Sequence, residues 1–365
     1  MDLFLCGDVM TGRGIDQVLP HPSEPTLYEP SLKSARAYVE LAERVNGPVP
    51  RPVDFAYIWG DALAEIKARE PSLRLINLET SVTTSSEPLP KGINYRMHPA
   101  NVPCLLAAGI DCCVLANNHV LDWGVPGLIE TVRVLSEAGV ATAGAGKMAE
   151  EAARPAVLDT HEGRRVLVFA FGSTTSGIPA GLAATEARPG VNLLSDLSQE
   201  TGRRVVSHIR THRQPGDLVV VSAHWGDNWG YEIPEAQRRF AHQLIDAGVV
   251  DIVHGHSSHH VKGIEVYEGR LILYGCGDFI SDYEGITGHE SYRPDLVLAY
   301  FASLENESGR LECLDMVPFR SRRFRLERVN DEDTEWIRRV LNREGRGLGT
   351  SVELGRGGIL TLRWQ

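Results

Sequence analysis

The sequence predicts an α/β fold, and three patterns support that prediction. Short apolar runs alternate with amphipathic stretches along the 365 residues, as they do where helices cover a largely parallel sheet. Several of these apolar runs stop at polar residues, and the last part of the chain contains consecutive runs typical of antiparallel strands. There is no internal repeat or Ser/Gly-rich linker, so we expect one compact unit rather than two separable domains.

The periodicity of the apolar residues predicts the individual elements. Parallel-type strands are expected at 2–6, 73–77, 111–115, 139–143, 165–170, 217–222, 250–253 and 271–275. Helices are expected at 31–45, 60–69, 126–138, 195–213 and 235–247. The closing part is expected to form antiparallel strands at 295–304, 310–320 and 322–328, followed by a helix near 331–344.

Charge and composition argue against several classes of function. Lys and Arg total 37 against 48 Asp and Glu, and the net charge of -11 removes most of the attraction to nucleic acid phosphates. The short apolar run at the N-terminus lacks a basic flank, and no later window approaches the roughly 18 apolar residues of a membrane span. The 6 cysteines include no CxxC pair, which favours free thiols. We expect a cytoplasmic protein that binds neither nucleic acid nor membrane, and we leave the oligomeric state open.

Oxygen and imidazole donors follow the ends of the predicted strands. These donors are Asp8, Glu79, Asn117, Asn118, His119, His224, His254, His256 and Asp278. The carboxyl ends of parallel strands are where α/β sheets bind ligands. A set without cysteine suits a divalent metal ion, and the sequence does not distinguish Mn, Zn, Fe, Ni, Mg and Ca.

The motifs around these residues resemble the CapA family, which is named for poly-γ-glutamate capsule synthesis and has a calcineurin-like metallophosphatase fold. The similar segments are GDVMTGR, NLET, NNHVLDWG, HWG, HGHSSHH and GIEVYEGRLILYGCGDF. The resemblance runs from residue 1 to about residue 300. It implies a four-layer α/β/β/α sandwich, with a metallophosphatase-like catalytic domain over 1–330 and a C-terminal helix and tail over 331–365 packed on it.

The resemblance also implies site residues. The ligands expected for one or two divalent ions are Asp8, Glu79, Asn118, His224, His254 and His256. His119 matches the acid that faces the substrate, and Asp122, three residues later, is expected to fix the tautomer of its ring. His254 and His256 are two residues apart on a strand, so they point to one face, although His259 competes for the same role.

One position departs from the metallophosphatase pattern. That pattern usually begins with Asp-x-His, whereas here Met10 stands two residues after Asp8. A thioether in place of the histidine removes a ligand from one of two metal subsites. Two-metal hydrolysis needs both ions about 3.5–4 Å apart, so we expect phosphoester hydrolysis to be weakened and acid/base groups to surround one ion.

Further polar and aromatic residues lie near the motifs. The catalytic candidates are Asp8, His119, His259 and His289, the last in a Gly-punctuated loop of the kind that carries function. Asp278 and Asp122 are expected to support the ligands from behind. The candidates for substrate binding are Arg13, Arg96, Trp123, Trp225, Trp229, Tyr283 and Arg293. The aromatic residues would form a pocket wall, and the arginines would either hold an anionic group or be solvated at the surface.

These observations lead to a favoured hypothesis with alternatives. Soluble members of the family include enzymes that epimerise the C-terminal residue of lasso-peptide precursors, and a chain without an N-terminal anchor resembles that branch. We therefore favour metal-dependent removal and return of a Cα proton on a peptide substrate. The alternatives are a metal-dependent phosphoesterase or amide hydrolase with His119 as acid, a poly-γ-glutamate-related capsule enzyme, and a binding protein without turnover.

Overall fold

Two mixed sheets with helices on their outer faces make up the computed structural model, which describes residues 1–365. The expected α/β fold is confirmed, and the four layers follow the order α/β/β/α. Buried side chains form three main clusters, one between the sheets and one beneath each helical layer. None of the helices combines the length and the apolar character that are needed to cross a bilayer.

The larger sheet has 10 strands, with Asp2–Val9 near its middle. On one side of that strand lie three parallel neighbours, Leu73–Leu78, Cys112–Val114 and Ala141–Ala143. On the other side lie antiparallel strands, in the order Leu296–Leu304, Leu311–Arg322, Leu360–Trp364 and Thr350–Leu354. The two remaining strands are Asp278–Ile280, parallel to the first strand, and Arg325–Arg328, antiparallel to Leu311–Arg322.

The smaller main sheet has 7 strands. Its path runs through Leu193–Leu194, Arg165–Ser173, Leu218–His224, Ile252–His256, Arg270–Leu273 and Ile264–Tyr267, with Ala156–Asp159 paired to Arg165–Ser173. The four central strands are parallel. Two short ladders complete the strands, one joining Ser81–Val82 to Arg96–Met97 and the other joining Ala145–Gly146 to Gly190–Val191.

Six of the nine helices agree with the predicted periodicity except at some of their starts, and the other three, of 5 residues each, were not predicted. They span Gly14–Val18, Arg36–Asn46, Ala62–Arg69, Pro103–Ala107, Gly124–Glu137, Ala149–Ala153, Gln199–His212, Glu235–Asp246 and Asp331–Gly345. The stretch predicted over 195–213 begins as helix at Gln199, because the Ser198 side chain accepts a hydrogen bond from the amide of Thr201 and caps the first turn. Local capping therefore shortened a helix whose periodicity was read correctly.

Strand alternation explains how one short segment contributes to two cores. Leu3 and Leu5 belong to the cluster between the two sheets, whereas Phe4 and Cys6 belong to the cluster under the helices. Successive side chains on a strand point to opposite faces, and both faces of this strand are covered. A strand buried on both sides is apolar throughout, as LFLC at residues 3–6 is.

The C-terminal segment is continuous with both the core and the sheet. The helix Asp331–Gly345 places Ile337 and Leu341 in the cluster between the sheets. The hairpin of Thr350–Leu354 and Leu360–Trp364 extends the larger sheet at its edge. Residues 331–365 thus contain two strands as well as the expected helix, and their assignment as a unit separate from 1–330 stays a prediction.

Candidate metal centre

Strand register brings the predicted donors to one edge of the molecule. In the larger sheet Asp8 lies beside both Asn77 and Asp278, and in the smaller sheet His224 lies beside His256. The two edges meet, since the backbone amide of Ser257 donates to Asp8 Oδ2 at 3.2 Å. The donors predicted from separate strand ends therefore converge between the two sheets.

Asp8, His224 and His256 form the first group of potential metal ligands, with one donor atom of each within 4.8 Å of the others. The Nδ1 atoms of the two histidines are 2.8 Å apart, and His256 Nδ1 lies 3.6 Å from Asp8 Oδ1. None of the three side chains is more than 1% exposed. Two imidazoles and a carboxylate at this spacing suit a divalent transition metal.

Asp8 also belongs to a second group, with His259 and Asp278. His259 Nδ1 lies 2.8 Å from Asp278 Oδ1, while Asp278 Oδ2 is buried without any hydrogen-bond partner. A buried carboxylate oxygen that lacks a partner is costly, and a cation removes that cost. The residues present therefore fit a divalent ion, and the sharing of Asp8 between two groups fits a pair of ions.

The second group changes the conclusion drawn from Met10. The Met10 side chain is fully buried and belongs to neither ligand group. An imidazole from His259, far along the chain, lies beside Asp8 together with a carboxylate from Asp278. The expected shortage of donors at one subsite is thus not observed, because the fold supplies them from a distant loop and strand.

Glu79 and Asn118 lie against the first group. Asn118 Oδ1 is 2.8 Å from His224 Nε2, and Glu79 Oε1 is 3.9 Å from the same nitrogen. Asn77, to which the sequence assigned no role, donates to Asp8 Oδ1 at 2.7 Å and to Glu79 Oε2 at 3.3 Å. Its position at a strand end, two residues before Glu79, is the signal that could have identified it. The ligand roles of Glu79 and Asn118 stay predictions.

His254 is directed away from both groups. Its Nε2 lies 2.7 Å from the carbonyl oxygen of Cys6, and its Nδ1 lies 3.1 Å from Ser222 Oγ. Neither ring nitrogen lies among the donor atoms of the two ligand groups, and both contact other protein groups instead. Against the expectation that His254 and His256 chelate together, His254 supports the site from deeper in the strand. The shared face was predicted correctly, but only the outer histidine reaches Asp8.

Electrostatics in this centre favour a cation. Burial and the neighbouring Asp278 raise the pKa of Asp8 to about 7. Burial, Asp8 and Asp278 raise the pKa of Glu79 well above its usual range. Burial also lowers the pKa of His224 and His256, so both rings are neutral at pH 7. A divalent cation would stabilise the charged carboxylates and take neutral imidazoles as ligands.

His119 and Asp122 form a dyad beside the ligand groups. His119 Nδ1 lies 2.6 Å from Asp122 Oδ2, the arrangement expected for a carboxylate that fixes the tautomer, and His119 Nε2 lies 3.7 Å from Glu79 Oε1. Lys91, which the sequence analysis missed, donates to Asp122 Oδ1 at 2.7 Å and to the Asn118 carbonyl at 2.6 Å. Burial lowers the pKa of His119 to about 4, against the opposing effect of Asp122. Nothing in the loop sequence around Lys91 signals this contact.

A groove of about 660 Å³ reaches His259 from the surface. Trp229, Tyr283 and His289 line it, and the rings of Trp229 and His289 are stacked with centroids 3.8 Å apart. The centroid of the His259 ring lies 5.3 Å from that of Trp229. His289 is exposed and belongs to neither ligand group, so its catalytic assignment stays a prediction.

Two of the predicted wall residues lie in the core instead. Trp225 is 3% exposed, and its Nε1 donates to the Tyr274 carbonyl at 3.0 Å. It directly follows His224, so alternation turns it to the opposite, helix-covered face of the sheet. Trp123 is 2% exposed and packs under Arg96, whose guanidinium carbon lies 3.8 Å from its ring centroid. Neither tryptophan lines the groove.

The three predicted arginine clamps are occupied by other protein groups. Arg13 uses its N–H groups on the side chains of Glu29, Tyr38, Tyr95 and Asp282. Arg96 donates to two backbone carbonyls. Arg293 forms ion pairs with Asp295 and Asp333 at 2.9 and 3.0 Å. These arginines hold loops together, and the expectation that they bind a substrate anion is not met.

Comparisons with known proteins agree with this architecture. The family model described as "Bacterial capsule synthesis protein PGA_cap" matches residues 2–283. A probable polyglutamine synthesis accessory protein of Mycobacterium tuberculosis is 47% identical over 352 residues, which are 96% of this chain and 92% of that protein. The PGA biosynthesis protein CapA of Bacillus subtilis is 28% identical over 308 residues, 84% of this chain and 68% of that protein. This chain therefore belongs to the CapA-like family of bacterial capsule synthesis proteins, whose fold is metallophosphatase-like.

Proposed function

We propose that this protein is a metal-dependent hydrolase that cleaves a bond in a glutamyl polymer or in a precursor of one. The observation that carries the proposal is the pair of ligand groups that share Asp8 beside the His119–Asp122 dyad. Two divalent ions at such a site supply an activated water molecule and stabilise charge at the bond that breaks. The class of polymer comes from the relatives, which are named for polyglutamine and PGA synthesis.

The surrounding residues have roles that follow from their contacts. Asp122 accepts a hydrogen bond from His119 Nδ1, which leaves Nε2 as the atom that exchanges a proton with the leaving group. Asn77 holds the carboxylates of Asp8 and Glu79 in place through its two hydrogen bonds. The groove that reaches His259 gives a substrate access to a centre that is otherwise buried.

Epimerisation at a peptide Cα, which we favoured from the sequence, has less support. That reaction needs acid/base groups on opposite faces of one carbon atom. His289, one of the groups offered for it, is exposed and stacked on Trp229 rather than directed into the buried cluster. The relatives are named for polymer synthesis, so they support the capsule-related alternative better.

The test is turnover by protein loaded with Mn²⁺ or Zn²⁺. Oligomers of glutamate and glutamine, in α- and γ-linked forms, and generic phosphoesters are incubated in D₂O, and the products are analysed by mass spectrometry. We expect bond cleavage that depends on the metal. The His119→Gln variant should lose about 10²–10⁴-fold in kcat while it retains its metal.

His208→Gln is the matched control, because His208 lies on the helix Gln199–His212 and its side chain forms one hydrogen bond, with the Ala153 carbonyl. It should turn over substrate at the rate of the unaltered protein. Deuterium at Cα without cleavage would instead establish epimerisation. Metal binding without any turnover of these substrates would contradict the proposal.

A further inference from the structure

A second cavity lies beside the groove that reaches His259. This neighbour has a volume of about 580 Å³ and is separated from the first by one loop. Both cavities are lined by the same loop residues, Tyr283, Gly285, Ile286, His289 and Pro294. Because the same loop borders both cavities, a chain-like substrate that crosses this loop would contact both.

The arginines of this surface are already paired with carboxylates of the protein. Its arginines are Arg13, Arg293, Arg320 and Arg322, and each has a carboxylate of the protein within 4.0 Å. No lysine lines either cavity. Glu290 is exposed at the rim, where it accepts one hydrogen bond from the Gly288 amide and has no cationic partner. A polyanion would therefore meet neutralised arginines and a free carboxylate.

Uncharged groups supply the remaining contact surface. Ile93 is 40% exposed and Ile286 is 46% exposed, although both are large apolar side chains. Trp229 is partly exposed beside them, and the exposed Asn228 places an amide next to His259. Exposed apolar side chains in a groove with a few polar groups are typical of a site for an uncharged ligand.

We propose that the groove selects a polyamide chain with uncharged amide side chains, as in a glutamine polymer, over the corresponding polyanion, as in a glutamate polymer. This inference rests on the proposed function for the identity of the polymer, and it adds the charge state of the side chains. Trp229 and the two exposed isoleucines contact the chain, and Glu290 repels carboxylates.

The test compares end-blocked hexamers of glutamine and of glutamate by titration calorimetry with the metal-loaded protein. We expect the glutamine hexamer to bind at least about tenfold more tightly, with little change in Kd between low and high salt, because screening weakens only charge-driven binding. The same titrations with Asp8→Asn measure the groove with the shared metal ligand removed, so that carboxylate binding to an ion does not contribute.

Two variants sharpen the comparison. Trp229→Ala should weaken binding of the glutamine hexamer about tenfold, whereas Trp364→Ala, at the end of the strand Leu360–Trp364 and outside both cavities, should leave it unchanged. Glu290→Lys should strengthen binding of the glutamate hexamer and leave the glutamine hexamer as it was. Because Glu290→Lys is expected to bind the glutamate hexamer more tightly, a loss of folding could not produce this result.

Tighter or equal binding of the glutamate hexamer by Asp8→Asn would overturn the inference, and so would the absence of binding by both hexamers. Either result leaves the proposed hydrolysis open to its own test, because turnover of phosphoesters or of glutamate oligomers is measured separately. Conversely, selective binding of glutamine without cleavage would support the groove assignment and contradict the hydrolase.

Discussion

The metal centre and the groove are built in different ways. The centre consists of side chains at strand ends, with Asp8, His224, His256 and Asp278 all at most 2% exposed and held by the register of two sheets. The groove consists of loop residues such as Trp229 and the 283–294 segment, much of which is exposed. The difference indicates that the sheets position the reactive groups, whereas the loops select the substrate.

The largest effect is expected at the residue that both ligand groups share. Asp8→Asn keeps the shape of the side chain but removes its charge, so both groups lose a ligand. We expect metal affinity to fall by more than the roughly 10–100-fold that results from changing a residue behind the ligands, and turnover to be lost. Metal content after dialysis measures the effect.

The matched control is Asp159→Asn, an exposed position on the strand Ala156–Asp159 in the other half of the molecule. It should bind metal as the unaltered protein does. Retention of normal metal content by Asp8→Asn would show that the centre is not a metal site of the kind described.

A smaller effect is expected at Asp278, which belongs to only one group. Asp278→Asn should reduce the number of ions bound from two to one, since Asp8, His224 and His256 remain. Turnover should fall further than metal affinity at the remaining site, because the second ion of a two-metal site takes part in the reaction itself. If metal titrations show the same number of ions bound by Asp278→Asn and by the unaltered protein, the second group does not bind a metal ion.

The stability of the metal-free protein should depend on pH through Asp8. Its pKa is raised to about 7 in the folded protein, so between about pH 4 and pH 7 the folded state holds a proton that the unfolded state has released. Stability from this group is therefore complete at low pH and is lost as pH rises through the folded pKa. We expect the Tm of chelator-treated protein to fall from about pH 4 to about pH 7, and added metal to reverse the fall.

The Asp8→Asn variant provides the comparison, since it has no carboxyl group to titrate at this position. Its Tm should fall less over the same range. A Tm that rises more steeply for the unaltered metal-free protein than for Asp8→Asn would contradict the assigned direction.

The smallest effects separate the core tryptophan from the groove tryptophan. Trp225→Phe removes the donor to the buried Tyr274 carbonyl, and we expect a loss of about 1–3 kcal/mol in the free energy of unfolding without a change in Kd for substrate. Trp229→Phe should change stability by about 0.5 kcal/mol or less. Urea unfolding measures both changes in the free energy of unfolding. A larger loss for Trp229→Phe than for Trp225→Phe would contradict the assignment of Trp225 to the core and Trp229 to the groove.

Much of the fold could be predicted from local pattern. Apolar runs and helical periodicity located the strands and helices, because a strand covered on both faces must be apolar throughout. Some errors lie at helix starts, such as the predicted helix 31–45 that begins at Arg36, where capping and loop packing outweigh periodicity. Other errors are short elements that were not predicted, such as the helix Ala149–Ala153 and the strand Ile264–Tyr267. The two strands within 331–365 were not predicted, since an edge hairpin is decided by the strand it pairs with.

The candidate site was predictable only in part. Strand ends identified Asp8, His224 and His256, because the sheet converts each strand end into a position at one edge. The role of His254 differs from the expectation since depth along the strand, and not the face alone, determines what a ring contacts. Lys91 was missed because a loop brings it to Asp122 without any periodic signal.

By itself, the sequence determined the α/β class, the acidic charge and the donor types available to a metal, since these follow from residue identity and short-range periodicity. Only the tertiary structure decided that His259 and Asp278 join Asp8 in a second group despite Met10. It also decided that Trp225 lies in the core and that the groove arginines are neutralised. Those outcomes depend on contacts between residues far apart in the chain, which no local pattern encodes.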